Sequence, residues 1–277
     1  MVDSTTAENN ETKVDIQAML RRAEMIEMQL QMEARFKRNM EVFKANMPEV
    51  HDLFTDYEPK ELRLEFSNEG YLHLINCQSG TPVYPENPEE FVQRQFEWFC
   101  ASPSIAELTF EKGTVHNKEH IHQRIVNAWL DASEPLSKTR KISIDAPIGF
   151  MMVTGIGLGY HIEKISRELD VKYLCIFESQ VDSLYASLHT IDWVPILEKY
   201  STKEHQIYMY LDFEPAIAMR DLGNVRHIIG YHNFITSFIY PHLSDPQTQR
   251  QPVQRADLHI TPKALTEANC TQKVFFL

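Results

Sequence analysis

Basic residues are in short supply: the chain of 277 residues carries 27 Lys and Arg against 39 Asp and Glu, a formal net charge of −12. Binding to nucleic acid without regard to sequence draws on Lys and Arg that neutralise phosphates, so no nucleic-acid partner is expected. The same deficit disfavours anionic lipid. No run approaches the roughly twenty apolar residues needed to span a bilayer, so no membrane partner is expected either. Met1 to Thr12 has no basic patch followed by an apolar stretch. A secretory signal is therefore not expected, and the cytoplasm is the expected location. Cysteine is scarce and scattered, at Cys77, Cys100, Cys175 and Cys270, which leaves no C-x-x-C site and no disulfide framework. An H-E-x-x-H zinc motif is missing as well. His116, His120 and His122 form H-x-x-x-H-x-H, and the first pair would share a helix face. Without a catalytic Glu at the zinc spacing the cluster reads as a solvated helix end, and no metal is expected.

From Val14 to Met47 glycine and proline are absent, and Met19, Ile26, Leu30, Met32, Phe36, Met40 and Phe43 recur mostly at steps of three and four. The pattern predicts a long amphipathic helix, stopped by Pro48, either lying on its own domain or presenting methionines to a partner. A seven-residue repeat is not sustained along it, so no coiled-coil dimer is expected. Alternation of Leu62, Leu64 and Phe66 with charge, a turn at Asn68-Glu69-Gly70 and an apolar run to Asn76 predict a β-hairpin. Helices follow from Pro88, with Phe91, Phe96, Trp98 and Phe99, and over 117–130, with Ile121, Ile125, Ala128 and Trp129 buried. Beyond a linker at 134–139, apolar runs alternate with helical segments. Strands are expected at Phe150–Val153, Tyr173–Phe177, Ile207–Leu211 and Val225–Ile229, with helices between them. The organisation expected is α/β: a tail over 1–12, a helical arm over 13–48, a small α+β segment over 49–137, a Rossmann-like parallel sheet over 138–243, and an irregular tail over 244–277.

One stretch stands out within that sheet. The strand ending at Val153 runs into Gly155-Ile156-Gly157-Leu158-Gly159-Tyr160-His161, and Glu178 lies nineteen residues beyond Gly159 at the end of the next strand. Alternate glycines let backbone approach a ligand, and a following helix aims N–H groups at an anion. Gly155, Gly157 and Gly159 thus form a candidate phosphate cradle, and Glu178 a candidate acceptor for ribose hydroxyls. The other reading is that the glycines only permit close packing of helix on sheet. Tyr160 stands where G-x-G-x-x-G needs its third glycine, and Val153 where methyltransferase loops usually carry an acid. An S-adenosylmethionine methyltransferase is accordingly the least favoured of three function classes. His161, in the first helical turn, is expected to stay neutral and to bond phosphate or sugar, or else to cap and pack. Asp192-Trp193 offers a carboxylate beside an indole, a pairing that holds sugars but more often stabilises a fold.

Several stretches together resemble the amino-terminal region of the bacterial motility accessory factor family. They are Arg35-Phe36-Lys37-Arg38-Asn39-Met40, Asp56-Tyr57-Glu58-Pro59-Lys60, Leu72-His73-Leu74-Ile75-Asn76, Pro82-Val83-Tyr84-Pro85, the loop from Gly155 to His161, and Ile191-Asp192-Trp193. The resemblance implies a glycosyltransferase-family protein of flagellin glycosylation. Members are thought to move a nonulosonic acid from a CMP-activated donor to flagellin Ser or Thr. It implies flagellin and a nucleotide-sugar as partners and no resident cofactor. In longer members a central domain with a Gly-Pro-Ser-Leu loop follows and resembles the sugar-nucleotide site. This chain contains no Gly-Pro-Ser-Leu. A flagellin-binding module without turnover is therefore the second reading.

Overall fold

The structure, a computed structural model, describes residues 5–67, 69–107, 124–125, 127–128, 131–132, 142–243 and 274–276. With no helix breaker before Pro48, the amino-terminal region forms one unbroken helix, α1 (Thr5–Asn46), which also takes in part of the expected polar tail. Pro48 then opens α2 (Pro48–Phe54), sitting at a first-turn position where a missing N–H costs nothing. Strands β1 (Leu62–Phe66) and β2 (Leu72–Asn76) pair as the expected antiparallel hairpin, Leu64 opposite Leu74, and Gly70 supplies the positive φ of 91° in its turn. Helix α3 (Pro88–Ala101) is capped by the Asn87 side chain, which accepts from the Glu89 amide at 2.9 Å. It buries Phe96 and Phe99 but leaves Trp98 48% exposed.

The main sheet contains β3 (Ser104–Glu107), β4 (Ile148–Thr154), β5 (Val171–Glu178), β6 (Gln206–Leu211), β7 (Thr236–Pro241) and β8 (Val274–Phe276), in the order β3-β7-β4-β5-β6-β8. The four inner strands run parallel and the two edge strands antiparallel to their neighbours. Helices α4 (Tyr160–Glu168), α5 (Val181–Thr190), α6 (Trp193–Lys199) and α7 (Pro215–Ile229) connect them. Side chains alternate across the sheet as period two demands. Met151, Val153, Leu174 and Ile176 pack with α4, α5, α6 and the carboxyl-terminal end of α1, whereas Phe150, Cys175, Phe177 and Tyr210 pack with α7. Both faces are covered, which is why these strands read as continuous apolar runs. The order of the parallel strands reverses between β4 and β7, so the crevice outside their carboxyl ends is the place where this architecture binds ligands.

The α/β class with a Rossmann-like sheet is as expected; several elements are not. Val225 to Ile229 is the last turn of α7, and the fourth parallel strand is β7. Ala218, Leu222, Val225 and Ile229 are buried at helical spacing, and an apolar run of five is ambiguous until its neighbours are counted with it. The segment 49–137 does not stand apart, since β3 joins the main sheet beside β7. Helical residues at 124–125 and 127–128 agree with the expected helix, but Ile125 is 64% exposed rather than buried. His116, His120, His122, Cys270, the 134–139 linker and most of the 244–277 tail lie outside the described residues. Among the described residues no helix is long and apolar enough to cross a membrane.

Candidate functional site

At the carboxyl end of β4 the three loop glycines take φ values of 87°, 51° and 83° at Gly155, Gly157 and Gly159. L-residues rarely adopt these values, and space forbids a side chain as well. A Cβ on Gly155 would stand 2.6 Å from the His242 carbonyl oxygen, and one on Gly157 2.3 Å from the Tyr84 hydroxyl. The close approach that glycine permits here is to the protein's own atoms.

The amide protons are likewise taken from within. Gly155 donates to the Phe177 carbonyl at 2.8 Å and Gly159 to the Ile156 carbonyl at 2.8 Å. Ile156 donates to Glu178 Oε2 at 2.6 Å, and Leu158 donates to the Tyr84 hydroxyl at 2.9 Å. The other Glu178 oxygen takes the Gln180 amide at 2.7 Å. Burial pushes the Glu178 carboxyl above its ordinary value, against the opposing pull of bonds from Gln180, Ile156, Ser183 and Gly157. The expected cradle of Gly155, Gly157 and Gly159 is thus filled by side chains of the same chain. Glu178 turns inward onto that cradle instead of outward to a ribose.

A relay of buried polar groups closes the crevice behind the loop. The Gln95 amide donates from Nε2 to the Pro241 carbonyl at 2.8 Å, which leaves its oxygen to accept from His242 Nδ1 at 2.7 Å. His242 Nε2 is then the bare nitrogen, and it accepts the Tyr84 hydroxyl proton at 3.0 Å. His161 donates from Nε2 to the Gly155 carbonyl at 3.0 Å, since a carbonyl only accepts. Its ring stacks on His242 with centroids 3.7 Å apart and on Tyr240 at 5.5 Å. Burial lowers the His161 pKa to about 3, which favours the uncharged ring. Burial also holds His242 well below its ordinary value, with the neighbouring His161 adding to the effect. Fully enclosed, His161 has no face open to phosphate or sugar.

Asp192 and Trp193 sit at the start of α6. Asp192 caps it by accepting from the Val194 amide at 3.1 Å and pairs with Arg38 at 2.8 Å. Trp193 is fully buried, packs edge-on to Phe43 and donates Nε1–H to Ser187 Oγ at 3.1 Å. Neither face of the indole is available to a sugar, so the expected sugar contact is corrected to a joint between α1 and the sheet domain. Arg35 and Asn39 complete it. The Arg35 guanidinium donates to the carbonyls of His189 and Thr190, and the Asn39 amide to those of Leu188 and Ile191, where α5 ends.

Asp182, which the sequence does not single out, is a second heavily bonded carboxylate of this region. One oxygen accepts the consecutive amides of Lys60, Glu61 and Leu62 at 2.9, 2.6 and 2.9 Å, and the other takes the Tyr57 hydroxyl. Burial alone would raise this carboxyl, but the four bonds outweigh it and hold the group below its ordinary value. The only sequence signal is the Asp-Tyr-Glu-Pro-Lys stretch, which supplies two of the four donors, Tyr57 and Lys60.

Open space lies elsewhere, along α1. A cleft of about 430 Å³ is lined by Arg38, Gln93, Glu163, Lys164 and Arg167, and a neighbouring one of about 340 Å³ by Met32, Tyr71 and Asn87. Arg35, Tyr160 and Thr190 border both. Tyr160 is half-buried at this border. The cations here are engaged, Arg38 by Asp192 and Lys164 by Glu168. The surface is polar and mixed in sign, suited to a peptide more than to a polyanion. Among the described residues no three metal-ligating side chains converge.

The fold resembles the structure of the Maf glycosyltransferase from Magnetospirillum magneticum AMB-1, with a TM-score of 0.55 at 20% sequence identity over 78% of this chain. The matched part is 33% of that chain, so the protein spans about a third of the length of its structural relative. No curated protein is similar enough to count as a relative. The family model described as the glycosyltransferase Maf N-terminal domain matches residues 35–254, and the chain therefore belongs to the Maf glycosyltransferase N-terminal domain family.

Proposed function

We propose that this chain serves flagellin glycosylation as a recognition module of Maf type, binding the acceptor protein while transfer of the sugar from a CMP-activated donor is performed by a separate catalytic domain. The observation that carries this reading is the internal engagement of the Gly155, Ile156, Leu158 and Gly159 amides. Sugar transfer from a nucleotide donor needs a group that steadies the leaving phosphate and a base at the acceptor hydroxyl. At the switch point the donors that would steady a phosphate are consumed by Glu178, Tyr84 and backbone carbonyls. Glu178, the acid that would receive a ribose in a nucleotide or S-adenosylmethionine site, is spent on the loop. The polar clefts beside Arg35 and Tyr160 have the size and mixed charge to receive a flagellin segment.

Two measurements on the purified chain test this. Flagellin is expected to co-purify with it, with the association weakened by Tyr160→Ala at the cleft border. Calorimetry with CMP is expected to give no heat. Binding of CMP that disappears in Gly155→Ala and survives in Tyr160→Ala would return the nucleotide to the loop and overturn the reading.

A further inference from the structure

Helix α1 carries two apolar stripes on opposite sides. Successive residues are turned by about 100° around a helix axis, so Met28, Met32, Arg35 and Asn39 fall within about 40° of one line. That line faces the chain's own domain. Met28 and Met32 border the cleft, while Arg35 and Asn39 bond the end of α5. Met19, Ala23, Ile26 and Leu30 lie about 180° away, at steps of four, three and four. All four are exposed, Met19 at 68%, Ile26 at 52% and Leu30 at 61%. Stripes on opposite faces cancel in any measure that seeks one apolar side, so the helix as a whole is barely amphipathic. They also blur each other's period, which is why the sequence shows no sustained heptad.

Taken alone, the outer stripe has coiled-coil spacing, with Met19 and Ile26 at d and Ala23 and Leu30 at a. Arg22 then falls at g and Glu27 at the following e. In a parallel, in-register pair these positions meet across the seam, Arg22 of each copy beside Glu27 of the other. Among the described residues neither has an ion-pair partner within its own chain; Glu27 has only a long 3.5 Å contact from Gln31. The next d position is Glu33, so the seam ends just before Arg35 and Phe36, where α1 begins to bond and stack on α5. We propose that this face is a self-association surface on which α1 of a second copy docks in parallel, forming a short two-stranded coiled coil with reciprocal Arg22–Glu27 pairs.

Sedimentation velocity of the full chain over a concentration series tests this. Mass is expected to rise with concentration from 32.3 kDa toward twice that value. Leu30→Glu, on an exposed site that leaves the fold intact by circular dichroism, is expected to weaken association by roughly tenfold or more, because a large buried side chain is lost from the seam. Arg22→Glu and Glu27→Arg are each expected to weaken it, and the double variant to restore it. On a Cys77→Ser background, Met19→Cys chains mixed with Leu30→Cys chains are expected to oxidise to like-with-like dimers. Preferential mixed dimers would mean antiparallel pairing and overturn the proposal. So would a species of 32.3 kDa at every concentration, or a dimer indifferent to Leu30→Glu. Monomers whose Leu30→Glu variant loses flagellin instead would give the face to flagellin and equally overturn it.

Discussion

The Glu178 carboxylate accepts the Ile156 amide proton at 2.6 Å, joining the end of one parallel strand to the glycine loop that follows its neighbour. A residue placed to read a ribose is thereby used to hold a turn, and Tyr84 does the same from the other side through Leu158. The structural consequences can be measured one contact at a time.

Tyr84→Phe removes a hydroxyl that donates to His242 and accepts from Leu158, both buried. Orphaning buried polar groups costs about 1–3 kcal/mol, so a stability loss of that size is expected in denaturant titration. A neutral outcome would mean that water already serves those groups.

Asp182→Asn exchanges a charged acceptor of three amides and a tyrosine for a neutral one that must also place an NH₂. Bonds to a charged group are the stronger kind, and a loss of roughly 3 kcal/mol is expected. The wild-type contribution has a defined pH window. Because the folded carboxyl lies below its ordinary value, its stabilisation is present above the unfolded pKa of about 3.9 and lost as pH falls through the folded one. Flat stability across that acid range would contradict it.

His161 gives the opposite kind of group the same direction. Its folded pKa of about 3 lies below the unfolded 6.5, so the neutral fold is fully favoured above 6.5 and loses stability as pH falls toward 3. At about pH 5 the group is roughly 1.5 units below its unfolded pKa, worth about 2 kcal/mol at 1.4 kcal/mol per unit. His242 adds in the same sense. Thermal melts are expected to drop between pH 7 and 5, and His161→Gln to blunt the drop. An unchanged slope in that variant would remove the histidine from the account.

Trp193→Ala is expected to cost about 3–5 kcal/mol, the range for deleting a large buried aromatic. Asp192→Ala, which removes a helix cap and an exposed ion pair, is expected to cost about 1 kcal/mol. If Trp193→Ala instead left stability intact and abolished sugar binding, the indole would be a ligand platform after all.

Much of the fold was legible because period and burial agree. Phe150 to Val153 and Tyr173 to Phe177 are apolar on both faces since helices cover both, and the loop between α4 and its strand announced itself by glycine spacing. β7 was missed because Thr236-Ser237 opens it with polar residues, whereas Val225 to Ile229 looks like a strand when read without Leu222 and Ala218. At the loop the glycine spacing signals a close approach, and the structure makes that approach to the protein's own atoms. The neighbours are not legible there, because Tyr84, Gln95 and His242 come from three separate stretches of the chain, and a local pattern does not reveal what fills a cavity from a distance. Asp182 was silent for the same reason: its donors lie 120 to 125 residues away.

Amide resonances of Ile156, Leu158 and Gly159, followed by NMR during addition of CMP, probe the sealed loop directly. A sealed loop gives slow hydrogen exchange at all three and no movement of their peaks at any CMP concentration. Rapid exchange, together with saturable shifts confined to these amides, would contradict it.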